Sequence, residues 1–474
     1  MTHTVSEKYY WWIILALCLA SRLLTTIYYI EDPDSLRFAL AALDYDVAKM
    51  QPHFPAYPVF CGLVKSILLV IPRYALAFSI VGGLSTFVII YCGVAILKKY
   101  KTTPFWQYTL TVLVFFNPLI WLLGNRYMPD LMGLAMVMIT LYFWAYYEER
   151  SKNGLWLGLS IGILIGVRLS YLPMVFLPAV FVFFYKKDRI TQLLGGLIGV
   201  LIWLVPLLID TGWADLVQMA QQQTDGHFND FGGTVQTEAH LGERFEKFIL
   251  HGWADGLGGY WQGRHWSTII ISLGLALFGS LGVFKIMDLP KWSSNHRVLF
   301  NSIIVYTIWI FFYQNVVFKS RHHLPLIMLS LMVVCIGAYV LFQYAKPIFY
   351  TVLGLFLTAN IYLTTNLIQQ HKKPVAISQL KDYLQENITP ETQIITSELV
   401  QFYLTKQGVK AQFLDINNVA LRVEDLDKKN TFLIANFKTY KGHPLKPIQT
   451  FYHNPYVNRM WSSVVLNRFS TIDN

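Results

Sequence analysis

Charge is scarce in this chain: only 14% of its 474 residues are Asp, Glu, Lys or Arg, while 54% are hydrophobic and the mean hydropathy is +0.42. That composition excludes an ordinary soluble domain and indicates a multi-span membrane protein. Cysteine is equally sparse. Cys18, Cys61, Cys92 and Cys335 all fall inside apolar stretches, which argues against a disulfide framework or thiolate metal site and leaves the redox compartment undetermined by cysteine use. No H-E-x-x-H or Cys/His nucleophile arrangement occurs, so hydrolase chemistry has little support. Without G-x-G-x-x-G or a P-loop, nothing argues for nucleotide binding. No repeat of fixed period is visible, no low-complexity run extends beyond Gln221-Gln222-Gln223, and the inverted halves of many transporters are not evident.

The net charge of +10 is not a nucleic-acid footprint, because the basic residues sit in short clusters such as Lys98-Lys99-Tyr100-Lys101 and Lys186-Lys187-Asp188-Arg189 between apolar runs. A helix of about 20 apolar residues crosses the hydrocarbon core. About eleven segments qualify, near 9–30, 73–97, 106–123, 131–147, 154–169, 171–185, 190–209, 266–287, 298–317, 324–343 and 347–367. The pair 154–169 and 171–185 is the shortest, and Pro173 and Pro178 would allow one kinked re-entrant element. The first run, from Tyr9 to Ile30, lacks a small-x-small cleavage signature and reads as a retained span.

With the N-terminus cytoplasmic, loops 98–105, 148–153, 186–189, 288–297 and 344–346 face inward and hold the Lys/Arg clusters, as the positive-inside rule requires. The segments 31–72, 124–130, 210–265, 318–323 and everything after about residue 368 then lie outside. Interfacial helices are expected from Asp34 to Asp46 and from Tyr57 to Ile71, and the amphipathic stretch Leu241 to Ile249 is expected to ride on the bilayer. From Lys372 the composition becomes that of a soluble domain. Thr392–Thr396, Ala411–Leu414, Phe432–Ala435 and Ser463–Leu466 read as strands, and Ser397 as the cap of a helix ending at Gly408. The expected fold is mainly α, a polytopic helical bundle over 1–371 followed by a small extracytoplasmic α/β domain over 372–474.

Against this apolar background the polar motifs stand out. Glu31-Asp32-Pro33-Asp34-Ser35 follows the first span, where carboxylates at the membrane edge cost free energy. Asp34 in a partly dehydrated cleft would suit a general base, or it would cap a helix; Glu31 and Asp32 share the location and the sequence does not rank them. Asp130, after Asn125-Arg126-Tyr127-Met128-Pro129, is a second acid on the outer face or an ordinary helix-start residue. Lys319-Ser320-Arg321-His322-His323 masses basic residues outside, where an anion such as phosphate would hold them and Arg321 would grip its oxygens. Arg168 closes a span and would either pair with an anion or snorkel. His53 and Tyr57 flank a proline-framed turn that lines an acceptor pocket or packs the loop. Arg22 lies nearer mid-span, at a cost of about 2.5–3.5 kcal/mol on insertion scales, and calls for an internal partner, expected to be an acid. His227, His240 and His251 are too irregularly spaced for a zinc motif.

Taken in order, Asp34-Ser35-x-x-Phe38, Pro52-His53-x-Pro55-x-Tyr57-Pro58, Arg168 with its Gly-rich lead-in, Arg321-His322-His323-Leu324-Pro325 and the closing Tyr456-Val457-Asn458-Arg459-Met460-Trp461 resemble polytopic GT-C glycosyltransferases that use polyprenyl-phosphate-linked sugars. The resemblance implies that Asp34 acts as base, that Asp130 is a second acid, and that Arg321 and Arg168 bind the donor phosphate, where the basic cluster adds Lys319. His322 and His323 stand where many members have Tyr. It further implies an inverting transfer at the outer face of a bacterial inner membrane, from a polyprenyl-phosphate sugar to a glycan, lipid or protein acceptor among membrane lipids. A divalent metal is compatible with it, as in some relatives, although no ligand set compels one. A lipid-linked-sugar transporter or flippase is the alternative, and a non-catalytic assembly protein a third reading. The enzyme reading requires residues 34 and 321 to converge beside one cavity.

Overall fold

The computed structural model describes residues 5–99, 103–147, 153–185, 189–230, 232–237, 240–288 and 293–470. Parts of the expected inward loops, at 100–102, 148–152, 186–188 and 289–292, lie outside the described residues. The chain divides into two compact units, one of residues 1–26 and 38–368, the other of residues 27–37 and 369–474.

The first unit is helical. Among the described residues seven helices are long and apolar enough to cross a membrane: Tyr74–Lys98, Asn153–Tyr185, Arg189–Thr211, Ser267–Met287, Ser294–Tyr313, Ser320–Tyr344 and Lys346–Asn387. The shortfall from eleven has local causes. Val5–Leu24 is a helix of 20 residues, but it carries Glu7, Lys8 and Arg22. The expected 106–123 run breaks after Pro104–Phe115, because Pro118 starts a new helix and Asn117 caps it by accepting the Ile120 N–H at 3.0 Å. Asp130–Ala145 has only 16 residues. Segments 154–169 and 171–185 join through the 3-10 turn Leu169–Tyr171, after Arg168 has left helical geometry at φ −157° and ψ 85°.

Helices Asn153–Arg168 and Arg189–Thr211 pack through glycines. A Cβ at Gly158 would lie 1.9 Å from the Gln192 carbonyl oxygen, and one at Gly195 2.1 Å from that of Leu155. Backbone-to-backbone approach of this kind is the small-residue mode of membrane helices. Within this seam Gly158-Leu159-Ser160-Ile161-Gly162 spells G-x-S-x-G. It is no nucleophile elbow: Ser160 lies buried within a continuous helix, donates to the Leu157 carbonyl at 2.8 Å and accepts from Thr140 Oγ1 at 3.0 Å.

Arg22 corrects one expectation. Its side chain is fully buried, yet among the described residues its polar partners are Ser21 Oγ at 3.0 Å and Thr86 Oγ1 at 3.5 Å, and its guanidinium lies 4.0 Å from the Trp121 ring centroid. Aromatic faces replace the acid. In the Leu241–Leu250 helix Arg244 is buried and donates to the carbonyls of Gly233 at 2.7 Å, Gln314 at 2.6 Å and Phe311, while Leu241, Phe245 and Ile249 stay exposed. That residue fastens one face of the helix to protein and leaves the apolar face outward. The outer helices of the first loop run from Pro33–Leu43 and Pro58–Leu68, shorter than expected, and Val47 and Ala56 between them pack on Leu207 and Leu216.

The second unit is a mixed six-stranded sheet in the order β2-β1-β3-β6-β5-β4, formed by β1 (Gln393–Thr396), β2 (Gln412–Asp415), β3 (Thr431–Ile434), β4 (Thr439–Tyr440), β5 (His443–Tyr452) and β6 (Ser463–Phe469). β2, β1 and β3 are parallel, and β6 and β5 continue antiparallel. Helices Ala376–Asn387 and Glu398–Lys406 accompany it, and Ile395, Val423, Leu433, Leu445 and Phe469 form a core. β5 escapes the sequence reading because Pro444 and Pro447 interrupt a mostly exposed strand that shifts register between Pro447 and Gln449.

Candidate functional site

In the first unit the constellation starts at Asp130, the first residue of helix Asp130–Ala145, whose side chain is wholly buried. One turn later Gly133 leaves room for a neighbour: a Cβ there would stand 2.7 Å from Arg168 Cβ. Arg168 fills that space, and its Nη2 approaches Asp130 Oδ1 at 2.8 Å. The turn at Leu169–Tyr171 frees Arg168 from its helix, so its Nη1 also donates to the Tyr57 hydroxyl at 3.2 Å; Tyr57 in turn contacts His53 Nε2 at 3.2 Å. Phe38 sits edge-on against both rings, with centroids 5.0 Å from Tyr57 and 5.7 Å from His53.

Arg321 arrives from the opposite end of the sequence, in the 3-10 turn Ser320–His323 that opens helix Leu324–Tyr344. Its Nε lies 3.6 Å from the same Asp130 oxygen, an ion-pair distance, and its Nη1 lies 3.8 Å from the Met128 sulfur. Two buried tyrosines pin this turn: Tyr171 donates to the Arg321 carbonyl at 2.9 Å and Tyr306 to the His322 carbonyl at 2.8 Å. The rings of Tyr57 and Tyr171 lie 5.6 and 5.8 Å from the Arg168 guanidinium. Half-buried His53 and buried Tyr57, Arg168, Asp130 and Arg321 therefore form one connected chain, with two guanidiniums on one carboxylate. Such forks match the oxygens of a phosphate as readily as those of a carboxylate.

The two histidines that follow Arg321 lie beside this cluster. His322 and His323 are buried, and the His323 ring packs 4.6 Å from Phe248 and 6.3 Å from His251, beside Asp255 on the π-helical turn His251–Gly256. Lys319 is partly buried, two residues before Arg321. Among the described residues no group of three or more His, Cys, Asp or Glu side chains is placed to hold a metal ion.

The acids of the first outer segment belong to the second unit, where their surroundings differ. Glu31 is buried and pairs with His371 Nε2 at 3.0 Å. Asp32 caps helix Pro33–Leu43, accepting the Ser35 N–H at 2.7 Å, and receives Asn458 Nδ2 at 3.5 Å. Asp34 keeps 14% of its side chain exposed and lies 3.9 Å from Arg37. Burial lowers the Arg37 guanidinium from its ordinary range and Asp34 partly restores it.

Met128, Tyr171, Tyr306 and Gly133 were not singled out by the sequence. Tyr171 follows Arg168 by three residues and Met128 precedes Asp130 by two, so proximity to an out-of-place charge was the available signal. Tyr306 carried none.

No family model and no curated protein sequence matches this chain. Its fold does match solved structures. The crystal structure of ArnT from Cupriavidus metallidurans bound to undecaprenyl phosphate superposes with a TM-score of 0.53 at 10% identity, covering 98% of either chain. The apo structure of the same protein gives 0.50 at 12% identity, again over 98% of both chains. At that identity the likeness concerns architecture: this chain has the ArnT fold, mainly helical and polytopic with a small C-terminal sheet domain.

Proposed function

We propose that the chain is a GT-C glycosyltransferase of the bacterial inner membrane that moves a sugar from a polyprenyl-phosphate donor to an extracytoplasmic acceptor. The observation that carries the proposal is the convergence of Arg168 and Arg321 on buried Asp130. A thioether is a weak acceptor, so a phosphate oxygen competes well with Met128 for the Arg321 Nη1. The ArnT structure with undecaprenyl phosphate supports a lipid phosphate as partner.

The chemistry needs little else. An acceptor hydroxyl attacks the anomeric carbon as the bond to the phosphate oxygen breaks, giving inversion; the hydroxyl proton passes to the base, and the polyprenyl phosphate leaves carrying its charge. Guanidiniums already aimed at that charge stabilise it without reorganisation. Asp34 is the base in this reading, supported by its greater exposure than Glu31 and Asp32, which are committed to His371 and to a helix cap. Asp130 holds the two arginines in place, and Tyr57 with His53 braces Arg168. Asp34→Asn should abolish transfer while leaving lipid-donor binding intact, as read by radiolabelled transfer beside a donor-binding titration. Unimpaired turnover would reject the assignment.

A further inference from the structure

The acid-bearing segment and the C-terminal domain are one piece of structure. Within the second unit, five contacts tie residues 27–37 to residues after 369. Tyr29 donates to the His371 carbonyl and Tyr403 to the Ile30 carbonyl, each at 2.6 Å. Glu31 meets His371 Nε2 at 3.0 Å, Asp32 meets Asn458 at 3.5 Å, and the Arg37 guanidinium stands 5.3 Å from the Phe402 ring centroid. Glu31, Asp32, His371 and Asn458 are all buried. Burial pushes the Tyr403 hydroxyl above its ordinary range, which keeps it a donor.

We infer that the C-terminal α/β domain is a positioning scaffold for this segment, and that His371 and Asn458 are the positioning residues. A buried carboxylate persists only with its partner in place, so the Glu31–His371 pair fixes the chain on the N-terminal side of the helix that starts at Pro33. Asp32 caps that helix with one oxygen and holds Asn458 with the other. The first turn, which carries Asp34, is thereby oriented from two sides. His371 ends helix Lys346–His371, where carbonyl ends favour a donor. The inference rests on Asp34 as base for its effect on turnover, but not for the holding itself.

Full-length protein in nanodiscs provides the test, with hydrogen exchange across residues 27–37 read beside transfer kinetics. His371→Ala should speed exchange of that segment by about tenfold or more, the scale of a buried charge-assisted hydrogen bond, while β1, β3 and β6 stay protected. It should lower kcat by about ten- to a hundredfold, as small misplacements do, and leave the donor KM within about twofold. His371→Gln, which carries an N–H donor at similar reach, should restore most of both. If His371→Ala does not fold, Asn458→Ala is read the same way. Unchanged exchange over 27–37 overturns the scaffold, and so does faster exchange with undiminished kcat. Active Asp34→Asn beside a loosened segment would remove the base while leaving the holding role; inactive Asp34→Asn beside a silent His371→Ala would do the reverse.

Discussion

At the scale of single residues, the functional reading depends on the guanidinium fork. Arg321 reaches Asp130 through Nε and Met128 through Nη1, two directions that an ammonium at the end of a flexible stem does not reproduce. Arg321→Lys should therefore raise the donor KM by about tenfold or more even though the charge is kept, and a lipid-phosphate titration measures it. A variant with wild-type affinity would reduce Arg321 to a point charge. Arg168, Arg321 and Asp130 were legible in the sequence because ionised groups beside apolar runs are costly and need a reason. Tyr171 and Tyr306 were not, since aromatic residues abound in such a chain and their hydroxyls bond to backbone that only the fold brings near. Arg22 shows the limit from the other side: burial demanded a partner, but sequence alone did not say that an indole face would serve.

At the scale of elements, the membrane unit relies on places where helices touch or stop. Gly195→Ala sets a methyl carbon against the Leu155 carbonyl and should cost about 1–3 kcal/mol, lowering the detergent-solubilised Tm. Gly279→Ala, whose added carbon meets nothing within 4 Å, is the matched control and should leave Tm unchanged or slightly higher. Equal Tm values for the two would show that the seam yields. Helix starts at Pro33, Pro58 and Pro104 were readable from proline itself, whereas the 106–123 reading ran straight through the start at Pro118. The break after Arg168 was readable too, as the junction of 154–169 and 171–185 just before Pro173; that Arg168 there meets Asp130 and Tyr57 was not. The same holds for β5, whose prolines hide it until β6 supplies a partner.

At the scale of the molecule, the change of composition near Lys372 is visible in the sequence, whereas the membership of residues 27–37 in the C-terminal unit is not. Local patterns carry no information about a contact such as Glu31 to His371, 340 positions apart. A chain ended after residue 371 should thus be inactive in transfer, and trypsin should cut it after Arg37, where Phe402 no longer covers the guanidinium. Resistance at that bond would mean that the segment keeps its conformation without Tyr403, Phe402 and Asn458.

The Glu31–His371 pair also sets a clock on biosynthesis. At roughly 5–20 residues per second, roughly 20–70 s of translation separate the emergence of the carboxylate from that of its imidazole partner. Throughout that interval the nascent polypeptide carries Glu31 without its imidazole, so the segment around it gains its fixed geometry only after the chain has passed residue 371.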